Sequence, residues 1–458
     1  MTDAPAPTVS FRQAFRVWWR IGWLSFGGPA GQIALMHREL VEQRRWISEP
    51  RFLHALNYCM LLPGPEAQQL AVYIGWLMHR VRGGLVAGLL FVLPGFVSIL
   101  LLSVLYVRYG ATPVATAIFF GLKAAVLAVV VEAVLRIGRR ALKTRFLLAV
   151  SGAAFLGIHV LAVPFPAIVA AAALAGLLVR LARPQWLPQP KADEAHDDAH
   201  YLVDAALAAG LLPHTQPSRS RVLRTTLVSL ALWTVPVLLV AAWLGTQHVL
   251  AREGLFFGKA AIVTFGGAYA VLAYVAQRAV EELHWLQPGE MVDGLALAET
   301  TPGPLIMVLQ FVGFVAAYRH AGPLDPWLAA TLGALLTTWV TFVPSFFFIF
   351  AGAPYVEALR RNRALHGALS AITAAVVGVV LNLSVWFALH TLFGQTRTLR
   401  SGMVQMDVPV LATYEPFAIA LSALAIYLTL RRHWPILWTL ALCGVLGGVY
   451  RAAYGAPA

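Results

Sequence analysis

The sequence predicts an all-α polytopic membrane protein: two inverted-topology repeats of about six transmembrane segments, with broken helices or re-entrant hairpins, and about 13 segments in total. Three observations predict it. Hydrophobic residues make up 59% of the 458 positions and charged residues only 12%, more apolar surface than one soluble core can bury. Apolar runs repeatedly reach the roughly 20 residues that a bilayer core demands. A block of the first half also recurs in the second half at a fixed offset.

The charge balance fits this class. Lys and Arg number 34 against 21 Asp and Glu, a formal net charge of +13. In a chain this apolar, basic residues mark loop orientation and anionic headgroups, so the expected partner is the lipid bilayer and not nucleic acid. The expected location is a bacterial inner membrane. Cys59 and Cys443 both lie in apolar runs, which argues against a disulfide framework or a thiolate metal site, and no cofactor or metal is expected. The opening "MTDAPAPTVSFRQAFRVWWR" has no uninterrupted apolar core ahead of a small-residue cleavage site, so no removable signal peptide is expected.

In chain order, apolar segments fall at 14–34, 52–78, 84–107, 113–135, 146–163 and 165–182. A polar stretch at 186–222 follows, rich in Pro, Asp and His with one short apolar patch, and reads as a linker outside the membrane. Apolar segments resume at 225–247, 257–277, 291–318, 326–352, 364–393, 408–430 and 434–450, which makes thirteen. The expected domains are therefore an N-terminal transmembrane repeat over 1–185, a cytoplasmic linker over 186–222, and a linking helix plus C-terminal repeat over 223–458.

The repeat is the strongest internal signal. An offset of 239 residues lays Phe26-Gly27-Gly28 on Phe265-Gly266-Gly267, Trp46 on Trp285, and Pro63-Gly64-Pro65 on Pro302-Gly303-Pro304 without a gap. Further along the register drifts, and "VLPGF" at 92–96 matches "FVPSF" at 342–346 only after an insertion, as Gly121 matches Gly367. The segment at 225–247 stands alone between the halves, and an odd segment there inverts the second half.

Basic clusters orient the chain. Arg136, Arg139, Arg140, Lys143 and Arg145 form one, Arg219, Arg221 and Arg224 a second, and Arg360, Arg361 and Arg363 a third, all expected on the cytoplasmic side. Thirteen crossings then put the N-terminus and linker inside and the C-terminus outside; re-entrant hairpins at both breaks satisfy the same parity.

The stretches "SFGGPAGQIALMHRELVEQRRW" (25–46) and "TFGGAYAVLAYVAQRAVEELHW" (264–285) show why breaks matter. Gly-Gly-Pro or Pro-Gly-Pro inside an apolar run removes donors and interrupts helical bonding, which hydrocarbon tolerates only where the freed groups face protein or a wet cavity. A half-helix starting at such a break aims free N–H groups and a partial positive charge at that cavity, an arrangement suited to an anion. The competing explanation is close helix packing or a simple kink.

These stretches, with "LLPGPEAQQLAVYIGW", "GGLVAGLLFVLPG" and "GLALAETTPGPLIMVLQFVGFVAA", resemble the paired signatures of the chromate ion transporter family in its long, two-domain form. The resemblance covers both halves and leaves out the linker and the last segments. It implies efflux of chromate from the cytoplasm, driven by the membrane potential or the proton gradient, and chromate resistance. Sulfate, also a tetrahedral dianion, is the alternative substrate, and a homodimer is the assembly considered. Moving a dianion outward down an inside-negative potential releases about 4.6 kcal/mol per 100 mV, enough for a gradient on the order of a thousandfold without an ATPase. No G-x-x-x-x-G-K-[ST] pattern is present.

Candidate pathway residues follow. At the breaks stand Gly27, Gly28, Pro29, Pro63, Gly64, Pro65, Gly266, Gly267, Pro302, Gly303 and Pro304. Gln68, Gln69, Thr300 and Thr301 beside them can donate to an oxyanion. Lys123 lies in an apolar run and is the candidate fixed positive charge. Glu66, Glu132 and Glu299 are candidates for proton coupling or ion pairing, with Arg136 the i+4 partner open to Glu132. His37 and Arg38 suit a vestibule, and Arg16 and Arg20 suit interfacial snorkelling. His196 and His200 have metal-ligand spacing, but in an acidic linker a solvated segment explains them. Two rival functions remain: a sulfate or other anion carrier, and an intramembrane enzyme using Glu299 and His284 as acid and base, which lacks any recognisable nucleophile or metal constellation.

Overall fold

A computed structural model describes residues 9–188, 201–263, 265, 268–355, 363–401 and 404–455. Each apolar segment that carries a break becomes a helical hairpin. In the first half α1 (Phe11–Leu24) turns at Ser25–Gly27 into α2 (Gly28–His37), which runs on as a π-helical turn, Arg38–Gln43. Next, α3 (Glu49–Cys59) turns at Pro63-Gly64-Pro65 into the first arm of α4 (Glu66–Tyr109). A kink at His79 and Arg80, where φ is −137° and 55°, separates that arm from a second, longer one. The remaining helices of this half are α5 (Pro113–Ala141), α6 (Arg145–His159) and α7 (Phe165–Ala182).

The second half repeats the plan. After the short α8 (Leu202–Ala208) and the single helix α9 (Arg219–Leu244), α10 (Val249–Val263) and α11 (Ala268–Ala276) form a hairpin that ends in its own π-helical turn, Gln277–Glu282. A second hairpin joins α12 (Pro288–Thr300) to a short 3₁₀ turn (Leu305–Met307) and α13 (Val308–Arg319). Then come α14 (Pro326–Gly352), α15 (Arg363–Leu392), α16 (Pro416–Leu430) and α17 (Ile436–Tyr454). The repeat extends to single backbone bonds. Trp46 N donates to Leu40 O and its counterpart Trp285 N donates to Ala279 O, both at 2.8 Å. Just before them Arg45 and His284 hold matching left-handed φ values of 51° and 52°.

Contacts at the ends fix the topology. His79 donates to Val9 O at 2.8 Å, Val203 N to Trp46 O at 2.9 Å, and His214 to Trp76 O at 3.0 Å, so both first-half hairpins open at the end where 201–216 docks. In the second half His248, Trp285, His320 and Gly322 line one pocket, and Arg319 ion-pairs with Glu290. Those hairpins open at the other end, beyond the 26 residues of α9, a helix of about 39 Å. The two halves are thus inverted, and their breaks are re-entrant. The thirteen apolar segments become four hairpins and nine helices. Among the described residues, seven helices are long and apolar enough to cross a membrane, while α6 and α16 are shorter apolar helices.

The halves interlock. α5 packs on α16 and α17 of the second half, and α15 packs on α6 and α7 of the first. Gly121 and Gly367 make the equivalent close approaches: a Cβ at Gly121 would lie 1.9 Å from Cys443 O, and one at Gly367 would lie 2.9 Å from Gly176 O. One sequence boundary needs correction. The run at 408–430 starts in a β-hairpin, where β1 (Thr396–Ser401) pairs antiparallel with β2 (Val404–Pro409), and becomes helical only from Pro416, because alternating polar residues there favour a strand. The end of the linker docks on the first half: Asp204 of α8 accepts from Ser48 N at 2.9 Å and ion-pairs with Arg51.

Candidate functional site at the meeting of the breaks

The apexes of hairpins from opposite ends meet. Gly303 N donates to Ser25 O at 2.8 Å, and the Gln32 amide donates to Gly303 O at 2.6 Å. Each Pro-Gly-Pro also rests on the proline-interrupted crossing helix of the other half. A Cβ on Gly303 would lie 2.9 Å from Gly95 Cα, beside Pro94 of α4, and a Cβ on Gly64 would lie 2.8 Å from Ser345 Oγ, beside Pro344 of α14. Gly64 and Gly303 adopt φ of 117° and 100°, conformations that admit glycine and penalise a side chain.

From these apexes α2 begins at Gly28, α4 at Glu66, α11 at Ala268, and the 3₁₀ turn leading into α13 at Leu305. Every half-helix that follows a break therefore starts in the middle of the bundle, with its free N–H groups and positive dipole end there. Pro29 occupies the first turn of α2, where its missing N–H costs nothing. Gly27 and Gly28, at φ 81° and 68°, face open space, since a Cβ on either would touch nothing within 4 Å. Gly266 and Gly267 lie outside the described residues.

Polar side chains surround the apexes. Gln68 is fully buried, and neither its Nε2 nor its Oε1 has a partner. Gln69 donates to Pro63 O at 2.7 Å and leaves its Oε1 unbonded. Glu299 is buried, accepts from the Tyr269 hydroxyl at 2.7 Å and leaves its second oxygen unbonded. Thr300 and Thr301 donate to carbonyls of their own helix, Leu297 O and Ala298 O, so their hydroxyl protons are committed to α12. Glu66 is half-buried and within the field of Arg140 and Arg136, and the field of Arg136 also reaches Glu299 and Tyr269. Glu132 pairs with Arg136 at 3.2 Å.

Lys123 sits elsewhere on α5 and is not free. Its Nζ is 3.4 Å from Asp293 Oδ1, and Tyr106 donates to Asp293 Oδ2 at 3.0 Å. His37 bonds Glu42 and Glu49 at 3.0 and 2.8 Å, and with the exposed Arg38 it marks the linker end of the first hairpin, away from the apexes. Glu299 lies at the C-terminal end of α12 and His284 precedes the first residue of that helix, Pro288, so nearly the whole helix, roughly 17 Å, lies between them, and the acid–base pair of the enzyme reading is not assembled. His196 and His200 lie outside the described residues.

Sequence reasoning missed several polar residues. Gln32, Tyr269, Asp293 and Tyr106 were each a lone polar group in an apolar run, the signal that singled out Lys123. Arg136 was read only as an orientation marker and the partner of Glu132. Glu253 of α10 is completely buried, with both oxygens unbonded, against Gly333 of α14.

Inverted hairpin pairs, apexes meeting at mid-bundle and unpartnered polar groups around them define a multi-pass membrane transport protein. The chromate transporter family model matches residues 12–177 and 252–448, and the chain belongs to that family. It is 36% identical over 391 residues to a chromate transport protein of Pseudomonas aeruginosa, covering 83% of this chain and 81% of that one. A chromate transport protein of Cupriavidus metallidurans is 29% identical over 377 residues, 82% of each chain. A probable chromate transport protein of Synechococcus elongatus is 26% identical over 430 residues, 92% of this chain and 95% of that one. No solved structure matches the chain.

Proposed function

We propose that the protein is a secondary transporter that moves chromate out of the bacterial cytoplasm across the inner membrane and so confers chromate resistance. The relatives' names suggest the substrate. One observation carries the site: the bonding of Ser25 and Gln32 to Gly303, which brings helix N-termini from both halves to one place. A tetrahedral dianion held there meets backbone N–H groups and dipole ends from two directions at once. Gln68 adds an amide that no protein atom engages, and Gly27 and Gly28 leave room for close approach.

Charge is graded along α5. Arg140 and Arg136 draw an anion from the linker side, and Lys123 stands nearer the other end, where a passing dianion competes with Asp293 for it. Glu66 and Glu299 repel the anion unless protonated or paired with arginine, so their proton occupancy sets when the site accepts it. Because the hairpin pairs open at opposite ends, movement of one pair against the crossing helices exposes the apexes to one side at a time. The membrane potential or the proton gradient supplies the drive.

The test is chromate accumulation in cells with and without the protein, with excess sulfate as competitor. Lower accumulation in expressing cells, insensitive to sulfate, is expected. Equal accumulation overturns the reading, and loss of the difference under sulfate reassigns the substrate.

A further inference from the structure

The repeat offset exposes a charge reversal. Arg20 on α1 lies 3.8 Å from Glu39 on the first π-helical turn, and Arg44 closes on the same carboxylate. An offset of 239 residues turns Arg20 into Lys259 on α10 and Glu39 into Arg278 on the second π-helical turn. One half carries an ion pair where the other carries two cations.

Lys259 and Arg278 line one open pocket of about 380 Å³, and Arg252, two helical turns before Lys259 on α10, lines it too. Its walls are Phe256, Trp285 and the α6–α7 turn at Phe165. Glu282 is the one carboxylate in the lining, and it is engaged by Arg278. Lys259 and Arg252 have no acidic partner among the described residues. Three cations against one carboxylate leave the pocket net positive, with Lys259 and Arg252 exposed at its mouth where a soluble anion or a headgroup can reach them. The lost counterpart of Glu39 is the negative group this geometry lacks.

We propose that this pocket, at the end of the bundle opposite the linker, binds a tetrahedral oxyanion through Lys259, Arg252 and Arg278. Two sources share that chemistry, a free dianion of the chromate or sulfate type and the phosphate of an anionic lipid. Its use as the far-end station of transport rests on the function proposed above; the binding itself does not.

Lys259 is one of four lysines in the chain, which gives a local readout. The full-length protein in phosphatidylcholine bilayers is treated with an amine-acylating reagent, with and without chromate or sulfate, and labelling at each lysine is quantified by mass spectrometry. Free anion is expected to slow labelling of Lys259 by roughly tenfold, the effect of one strong charge-assisted contact, with Lys191 in the linker unchanged. Arg278→Glu, which restores the first half's charge pattern, is expected to abolish that protection at normal abundance. If phosphatidylglycerol protects Lys259 and free anion does not, the ligand is the lipid phosphate. If neither protects it, or Arg278→Glu leaves protection intact, the site is wrong. The readout needs no turnover, so chromate flux in the same vesicles separately tests the function.

Discussion

Gln32 on α2 donates a 2.6 Å hydrogen bond to the carbonyl oxygen of Gly303, 271 residues further along the chain. The bond joins the apex of a hairpin entering from one end to the apex of a hairpin entering from the other. Its counterpart position in the second half is Val271, so only one such clamp exists at this repeat position. Gln32→Leu leaves a buried carbonyl unpaired, and a loss of about 1–3 kcal/mol is expected. The protein should still insert, with a lowered melting temperature in detergent and weaker chromate flux per molecule. Unchanged melting and flux would show that the contact carries no weight.

The glycines at the breaks separate into two kinds. Gly64→Ala and Gly303→Ala combine a left-handed φ with atoms 2.8–2.9 Å from the new Cβ, so both should lower abundance as well as flux. Gly27→Ala and Gly28→Ala meet no neighbour and carry only the backbone penalty, about 1–2 kcal/mol each. They should retain abundance and lose flux, because the methyl group enters the space an anion needs. Gly83, which the sequence places at a loop end, is no neutral control: its Cβ would lie 2.2 Å from Gly75 O. Gly448→Ala on α17, with nothing within 4 Å, is the variant expected to change little. Immunoblots of membrane fractions alongside flux distinguish these outcomes.

Lys123 and Asp293 form a partly buried pair, with Tyr106 as third member. Removing one charge strands the other, which is costlier than removing both. Lys123→Met is therefore expected to reduce abundance as well as export, and Lys123→Met with Asp293→Asn to restore abundance. Export by the double variant decides the lysine's role. Recovery alongside abundance means that Lys123 serves the fold, and continued failure means that the pathway needs its charge.

Much of the fold was legible because it rests on patterns that sequence carries directly. The gapless register from Phe26 to Pro65 predicted the matched hairpins, and the lone segment at 225–247 predicted the inversion. The choice between spanning and re-entrant breaks was not legible, since it depends on His248 bonding Ala321 O and on His79 bonding Val9 O across the fold. The site was legible at its glycines and prolines, whose backbone demands are local. Its side chains were not, because Lys123 looks solitary until α12 brings Asp293 to it, and Arg136 looks like a loop residue until its field reaches Glu299. Composition likewise marked 186–222 as polar and could not show Asp204 bonded to Ser48.

That docked segment carries a pH dependence. His214 is buried against Trp76, donates to its carbonyl oxygen at 3.0 Å, and lies near Arg80 and Arg221. Burial, the larger cause, and those two positive charges push its pKa below the ordinary value of 6.5. The docked state thus binds its proton less readily than the free segment does. Docking is fully favourable above about pH 6.5, where both states are neutral, and weakens as pH falls below it, because undocking then takes up a proton. Hydrogen exchange at 201–216 should accordingly quicken as pH falls below about 6.5, beyond the intrinsic change, and His214→Phe should flatten that dependence while keeping the ring contact with Trp76. Exchange that follows only the intrinsic pH dependence in the unsubstituted protein would remove His214 as the titrating group. If the pH-sensitive part persists in the Phe variant, the sensitivity belongs to another contact, and the ion pair of Arg51 with Asp204 is the next one to break.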